Sequence, residues 1–331
     1  MTVQSIDLSN STPLTKRSIS QLPINLFASV MGITGLSLAW REATRTIGLP
    51  ALPGEYVGWL GTSIFLSLAL GYAIKWRRHP GLVAAEFAHP VQSNFFATVA
   101  IGLLLQSAFL NLYSPLLSEV VWTIASALTF ALAYVVARGF LGRQQSRDTT
   151  LPPLLIPGVA TLDIAVTGHA MPFSWAHEVN MLAFSVGSVI AAVFIALIFS
   201  RLRHEDPLPA LARPSLMVLV APFAVGFLAY TNVTGSVDLF ATVLFYFALF
   251  LMLVLSPMVF RSHVPFSVTW WAISFPLAAL SIAFFRYAAS AGSAILTGLA
   301  GLFFLFLAGA IAVVFYRTVS IVLTGRLFEV R

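Results

Sequence analysis

Residues 267–288 read SVTWWAISFPLAALSIAFFRYA, an apolar run with a proline at position 276 and one charged residue, Arg286. About 20 such residues at 1.5 Å each cross the hydrocarbon core of a bilayer. Outward from this stretch, nine more runs of the same kind appear, at 22–40, 56–75, 90–112, 116–137, 152–170, 179–200, 214–231, 238–260 and 293–316. Ten runs in 331 residues set the class: an all-α integral membrane protein with ten transmembrane helices. The first 21 residues are polar, and Arg41 and Glu42 follow the first run where a signal peptide would carry small residues for cleavage. The expected division is a tail over 1–21, a membrane domain over 22–318 and a second short tail over 319–331.

Composition agrees. The chain is 59% hydrophobic and 9% charged, against about 25% charged in a soluble domain. Its mean hydropathy is +0.91. Disordered and collagen-like classes are excluded, and with no Cys so are disulfide scaffolds and thiolate metal sites. A pI near 10.0 raises nucleic acid as a partner, but the positive residues are scattered between apolar runs and form no basic face. The expected surroundings are lipid, with no nucleic acid.

Fifteen of the 18 Lys and Arg residues fall on one side of the ten runs, leaving Arg41, Arg45 and Arg286 on the other. Positive charge marks the cytoplasmic face, so both termini are expected in the cytoplasm, with the chain in the cell inner (plasma) membrane. The odd runs contain or begin at proline: Pro23, Pro90, Pro157, Pro222 and Pro276. Among the even runs only the eighth has one, Pro257. The odd runs recur at roughly 60-residue intervals, the mark of a repeated helical hairpin. Five hairpins follow, with kinked odd helices inside and smoother even helices facing lipid. Prolines are also simply common in membrane helices, which is the plainer reading.

Polar residues inside the runs are the candidates for chemistry. Asp163 lies near the middle of the fifth run, where a carboxylate costs about 2.5–3.5 kcal/mol on insertion scales. It is either a proton- or substrate-coupling carboxylate or a packing group bonded to helix carbonyls freed by Pro157. Glu119 and Asp238 begin even helices, where a carboxylate stabilises the positive end of the helix dipole. Asn25, Ser93, Asn94, Gln106 and Thr161 are candidates for a polar path. His169, His177 and Glu178 cluster without a trusted ligand spacing and read as a solvated loop, so no metal or cofactor is expected. Gly54–Gly58 and Gly298–Gly301 read as sites where helices approach closely. A pore or carrier for a small polar solute or ion is the first hypothesis. A membrane-embedded enzyme is the second, and it lacks a catalytic cluster.

Four stretches, the last of them within 267–288, resemble one family in order along the chain. They are Leu22-Pro23 with Phe27, Gly32 and Leu36–Trp40; Glu86–Val91; Ala221-Pro222 through Tyr230 and Gly235 to Asp238; and Trp270-Trp271-Ala272-Ile273-Ser274-Phe275-Pro276. Together they are similar to the tellurite-resistance/dicarboxylate transporter family, which includes bacterial tellurite-resistance proteins, plant guard-cell slow anion channels and fungal malate and sulfite transporters. The resemblance implies ten helices as five hairpins around a central pore, assembled as a homotrimer with one pore per subunit. It implies that Phe275 is the gate and that Phe27 is an inner aromatic. Pro90, Pro157, Pro222 and Pro276 would shape the pore. The cargo would be small inorganic or organic anions. The alternative is a proton-coupled carrier of C4-dicarboxylates, sulfite or tellurite-related oxyanions, with Asp163 as the coupling carboxylate.

Overall fold

The computed structural model describes residues 19–142, 146–261 and 264–324. Most of the two expected tails, and with them Lys16, Arg17, Arg143, Arg326 and Arg331 of the charge count, lie outside the described residues. Eleven α-helices are described: α1 (Phe27–Ile47), α2 (Ala51–Arg78), α3 (Pro80–Ala88), α4 (Phe96–Leu110), α5 (Pro115–Gly142), α6 (Ile156–Gly168), α7 (Ala176–His204), α8 (Ala221–Thr234), α9 (Leu239–Val259), α10 (Ser274–Ala291) and α11 (Ala294–Leu323). No strand occurs among the described residues.

Eight stretches are long and apolar enough to cross a membrane, and the chain is a multi-pass membrane protein. The runs expected at 22–40 and 152–170 are the two that fall short. The helical stretch Pro152–Gly168 is too short. In α1, the last two turns carry Arg41, Glu42 and Arg45 and lower its apolar character.

The prolines do not kink mid-helix as expected. A 3-10 stretch precedes each of α1, α4, α6, α8 and α10, at Ile24–Leu26, Gln92–Phe95, Pro152–Leu155, Ala210–Val220 and Val268–Ile273. Pro23 and Pro90 sit just ahead of the first two stretches, while Pro157, Pro222 and Pro276 occupy the first turn of their α-helices. Proline fits there because a first-turn N–H has no intrahelical acceptor to lose. The odd runs therefore change pitch, from 3-10 to α, at their proline. Pro257 alone lies inside an α-helix, near the end of α9.

Contacts between helices fall into two sets. α1 packs on α4, α4 on α6, α6 on α8, α8 on α10, and α10 back on α1. Each member of this cycle also packs on the long helix that follows it across the far connection: α2, α5, α7, α9 and α11 in turn. Three of those connections start at a left-handed glycine, Gly48, Gly235 and Gly292. That conformation strains any residue with a Cβ and ends a helix sharply.

Close approach is built in at α1–α10. A Cβ on Gly32 would overlap the Ser274 side chain, and one on Gly35 would crowd Ala278. These contacts flank Phe275 on α10. Gly54 and Gly58 likewise admit Trp40 and Phe109, as expected of small residues. Gly298 differs, since nothing lies within 4 Å of a Cβ built there. It faces away from the bundle.

At the Lys/Arg-rich end, Lys75 is 1% exposed. Its Nζ donates to the Leu22 carbonyl at 2.7 Å and to Glu86 Oε1 at 2.6 Å, while the Tyr72 hydroxyl donates to Glu86 Oε2. A buried ammonium needs such acceptors, one of them a carboxylate. The set ties the chain ahead of α1 to α2 and α3.

Candidate functional site

Two cavities lie along the cycle, and each is lined by residues from all five of its members. The larger, of about 260 Å³, sits toward the far end among Gly35, Leu105, Asp163, Leu228 and Ala278, with Arg41, Arg45 and Arg286 at its rim. The smaller, of about 30 Å³, sits toward the Lys/Arg-rich end among Met31, Ile101, Val159, Val218 and Trp271. One residue lines both cavities: Phe275. Its ring is 7% exposed and lies in the first turn of α10, held by the tight α1–α10 approach at Gly32 and Gly35.

The lining of the small cavity carries no charge, and the hydroxyl of its one polar residue, Thr98, donates back to the Phe95 carbonyl. A space near 30 Å³ with such walls holds about one water and holds it weakly. The large cavity is polar at its rim. Arg41 makes a two-pronged bond to Glu55, Nε to Oε1 at 2.9 Å and Nη2 to Oε2 at 2.8 Å. It also donates to the Ala108 and Phe109 carbonyls and lies over the Phe109 ring. Arg45 pairs with Glu42 at 3.1 Å. Arg286 Nη1 donates to Asn232 Oδ1 and to Thr231 Oγ1.

Asp163 lines the large cavity, is 1% exposed, and its Oδ2 has no hydrogen-bond partner among the described residues. Nearby on α6, the Thr161 hydroxyl donates back to the Pro157 carbonyl one turn earlier, at 2.9 Å.

Phe27 lines neither cavity. It sits between α1 and α2, edge-on to Phe65 and Tyr72. A ring in the first turn of α1 reaches the flanking helix there and not the middle of the cycle. Pro276 lines the small cavity, Pro90 and Pro157 line a surface crevice beside α5, and Pro222 lines none of these spaces. Gln106 bridges Thr34 and Thr62, so it joins α4 to α1 and α2. Ser93 and Asn94 line the crevice, and Asn25 Oδ1 is buried without a partner among the described residues. His177 and Glu178 are exposed in the first turn of α7, while His169 lines the large cavity. Asp238 accepts from the Ala241 amide as the cap of α9. Glu119 lies in the second turn of α5 and forms no ion pair among the described residues.

Sequence reading missed two features. The three far-side arginines, counted only as charge, converge on one cavity. All three lie on α1 and α10, the two members of the cycle that touch at Gly32. Lys75, counted as surface charge, is the buried anchor described above.

The SLAC1 family, described as voltage-dependent anion channel, matches residues 21–319. The chain belongs to that family. It is 26% identical over 279 residues to the S-type anion channel SLAH3 of Arabidopsis thaliana, covering 80% of this chain and 43% of that one. It is 27% identical over 272 residues to the tellurite resistance protein TehA homolog of Haemophilus influenzae, covering 78% and 79%. It is 24% identical over 280 residues to the guard cell S-type anion channel SLAC1 of Arabidopsis thaliana, covering 81% and 50%. The chain thus spans about half the length of these two plant channels and most of the bacterial relative.

Proposed function

We propose that the chain is a passive anion channel in which five hairpins surround one pore through the cycle, closed by the Phe275 ring. The observation that carries this reading is that Phe275 alone lines both cavities on the axis of the cycle. Family membership and relatives named as S-type anion channels support an anion as cargo. The ten-helix count of the hairpins includes the charged α1 and the short α6 as spans, because both belong to the cycle and pack on helices that are long and apolar enough. The transport domain would cover 22–318. The 15-to-3 division of Lys and Arg supports both termini in the cytoplasm, and the cell inner membrane is proposed as the site from the family. A homotrimer is part of the same proposal, read out by the mass of the purified protein in detergent.

Mechanically, a closed ring above a dry 30 Å³ space blocks an ion twice, by its bulk and by excluding the water an ion needs. Removing the ring joins the two cavities. The test is anion flux into liposomes for wild type and Phe275→Ala at two pH values. Large flux that appears only with the variant and ignores pH is the expected result, and a silent Phe275→Ala would overturn the gate.

Asp163 favours a second reading, a proton-coupled carrier of C4-dicarboxylates, sulfite or tellurite-related oxyanions. A buried carboxyl with an unpartnered oxygen in the cavity wall is a natural proton carrier. That reading expects slow, saturable flux that follows the proton gradient and is lost in Asp163→Asn.

A further inference from the structure

Three arginines line the large cavity, and their partners tell them apart. Arg41 is matched by Glu55 through two parallel charge-assisted bonds, and Arg45 is matched by Glu42. Arg286 has no carboxylate within ion-pairing distance among the described residues. Its Nη1 is held by two neutral oxygens, Asn232 Oδ1 and Thr231 Oγ1, and its Nε and Nη2 have no protein acceptor among the described residues. Asn232 is itself fixed, with Nδ2 donating to the Val166 carbonyl at 2.7 Å and the Ala165 carbonyl at 3.3 Å. The guanidinium is therefore anchored from α6 and α8 along one edge, with the other edge unspent.

We propose that the large cavity is a binding site for one small monoanion, held on the free edge of Arg286 on the far side of Phe275. This deepens the channel reading and rests on it for the anion's route. A guanidinium is planar and weakly hydrated, and its fork matches two oxygens of nitrate or formate. Holding Nη1 on neutral oxygens orients the group without spending its charge. Had Asn232 been an aspartate, Arg286 would be a third paired arginine. Around 260 Å³ leaves room for such an anion with several waters.

Charge arithmetic sets the class. The Arg41–Glu55 and Arg45–Glu42 pairs each sum to zero, so Arg286 is the one uncompensated cation among the ion-pairing residues that line or border the cavity. A monoanion neutralises it. A dicarboxylate would bring a second negative charge that no free cation meets, in walls that are otherwise largely apolar. An ionised Asp163 deepens that penalty.

The test measures binding to the purified full-length protein in detergent, with Phe275 intact, at constant ionic strength and at pH 8. Sodium nitrate, formate and succinate are titrated by calorimetry and by the shift of the unfolding midpoint. Nitrate and formate are expected to bind saturably, and succinate at least about fivefold more weakly. Arg286→Gln should weaken nitrate at least about tenfold. Asn232→Asp should do the same with the arginine still in place, by giving Nη1 a carboxylate, which keeps the test alive where Arg286→Gln does not fold. Wild-type nitrate affinity in a folded variant of either kind, or succinate binding more tightly than formate, would overturn the proposal. A silent Phe275→Ala with intact nitrate binding would end the gate and leave this site standing. A conducting Phe275→Ala in a protein that binds no nitrate would do the reverse.

Discussion

The cycle of α1, α4, α6, α8 and α10 and the helices outside it differ in how much of their apolar surface the protein itself covers. In the long stretches of the cycle, 67–78% of the most apolar window is buried, against 17–33% in α2, α5, α7, α9 and α11. Large apolar side chains such as Leu66, Ile124, Val189, Phe250 and Leu302 stand exposed on the outer set. In water that exposure would be a liability. In lipid it is the solvated face, and packing rather than hydrophobicity has to hold the inner set together. The inner set accordingly carries the close approach at Gly32, the 3-10 stretches and both axial cavities.

Breaking that contrast is the way to test it. The largest effect is expected between two phenylalanines. Phe275→Ala should raise anion flux in liposomes by at least about tenfold, while Phe306→Ala on the outer helix α11 should leave flux as it was. Next come two glycines. Gly32→Leu drives a side chain into Ser274 and Trp271 and should cost about 3 kcal/mol, read as a lowered unfolding midpoint in detergent, whereas Gly298→Leu meets nothing and should cost none. Third, Glu55→Gln removes a carboxylate from the half-buried pair with Arg41, at about 2 kcal/mol in the same assay. It also sharpens the distinction between Arg41 and Arg286, since calorimetry should then show a second, weaker nitrate site. The smallest effect is Trp271→Phe, which deletes the bond from Trp271 Nε1 to Thr318 Oγ1 between the cycle and α11, worth about 1 kcal/mol.

Much of the helix order was legible because each run must satisfy its own backbone in lipid, so length and apolar content reveal it. The runs at 22–40 and 152–170 were harder. Arg41, Glu42 and Arg45 belong to α1 and continue it toward the rim of the large cavity, so a reading that stops at the first charge cuts the helix short. Proline position misstated the geometry of the odd runs: a proline in a first turn after a 3-10 stretch looks in sequence like one that kinks a helix. The site was legible only in part. Phe275 came from motif, not from physics, because one ring among 28 phenylalanines carries no label of its own. Phe27 carried a similar expectation and faces α2 instead. Lys75 could not be read as buried, since its partners Leu22, ahead of α1, and Glu86, on α3, are brought to it only by the fold. The convergence of Arg41, Arg45 and Arg286 was within reach, because all three sit on proline-marked helices. What sequence could not show is that Glu55 and Glu42 silence two of them.

The unequal cavities have an electrical consequence. In a pore along the cycle, applied voltage falls mainly across the driest and narrowest stretch, and here that is the 30 Å³ space and the Phe275 ring beside it. None of the residues lining that space is charged. Each elementary charge carried across the full potential contributes about 2.3 kcal/mol per 100 mV, so a swinging phenyl ring contributes nothing of the kind. Arg286 and Asp163 line the wider cavity, where the field is weak. Steep gating by membrane potential therefore has no lever at this ring.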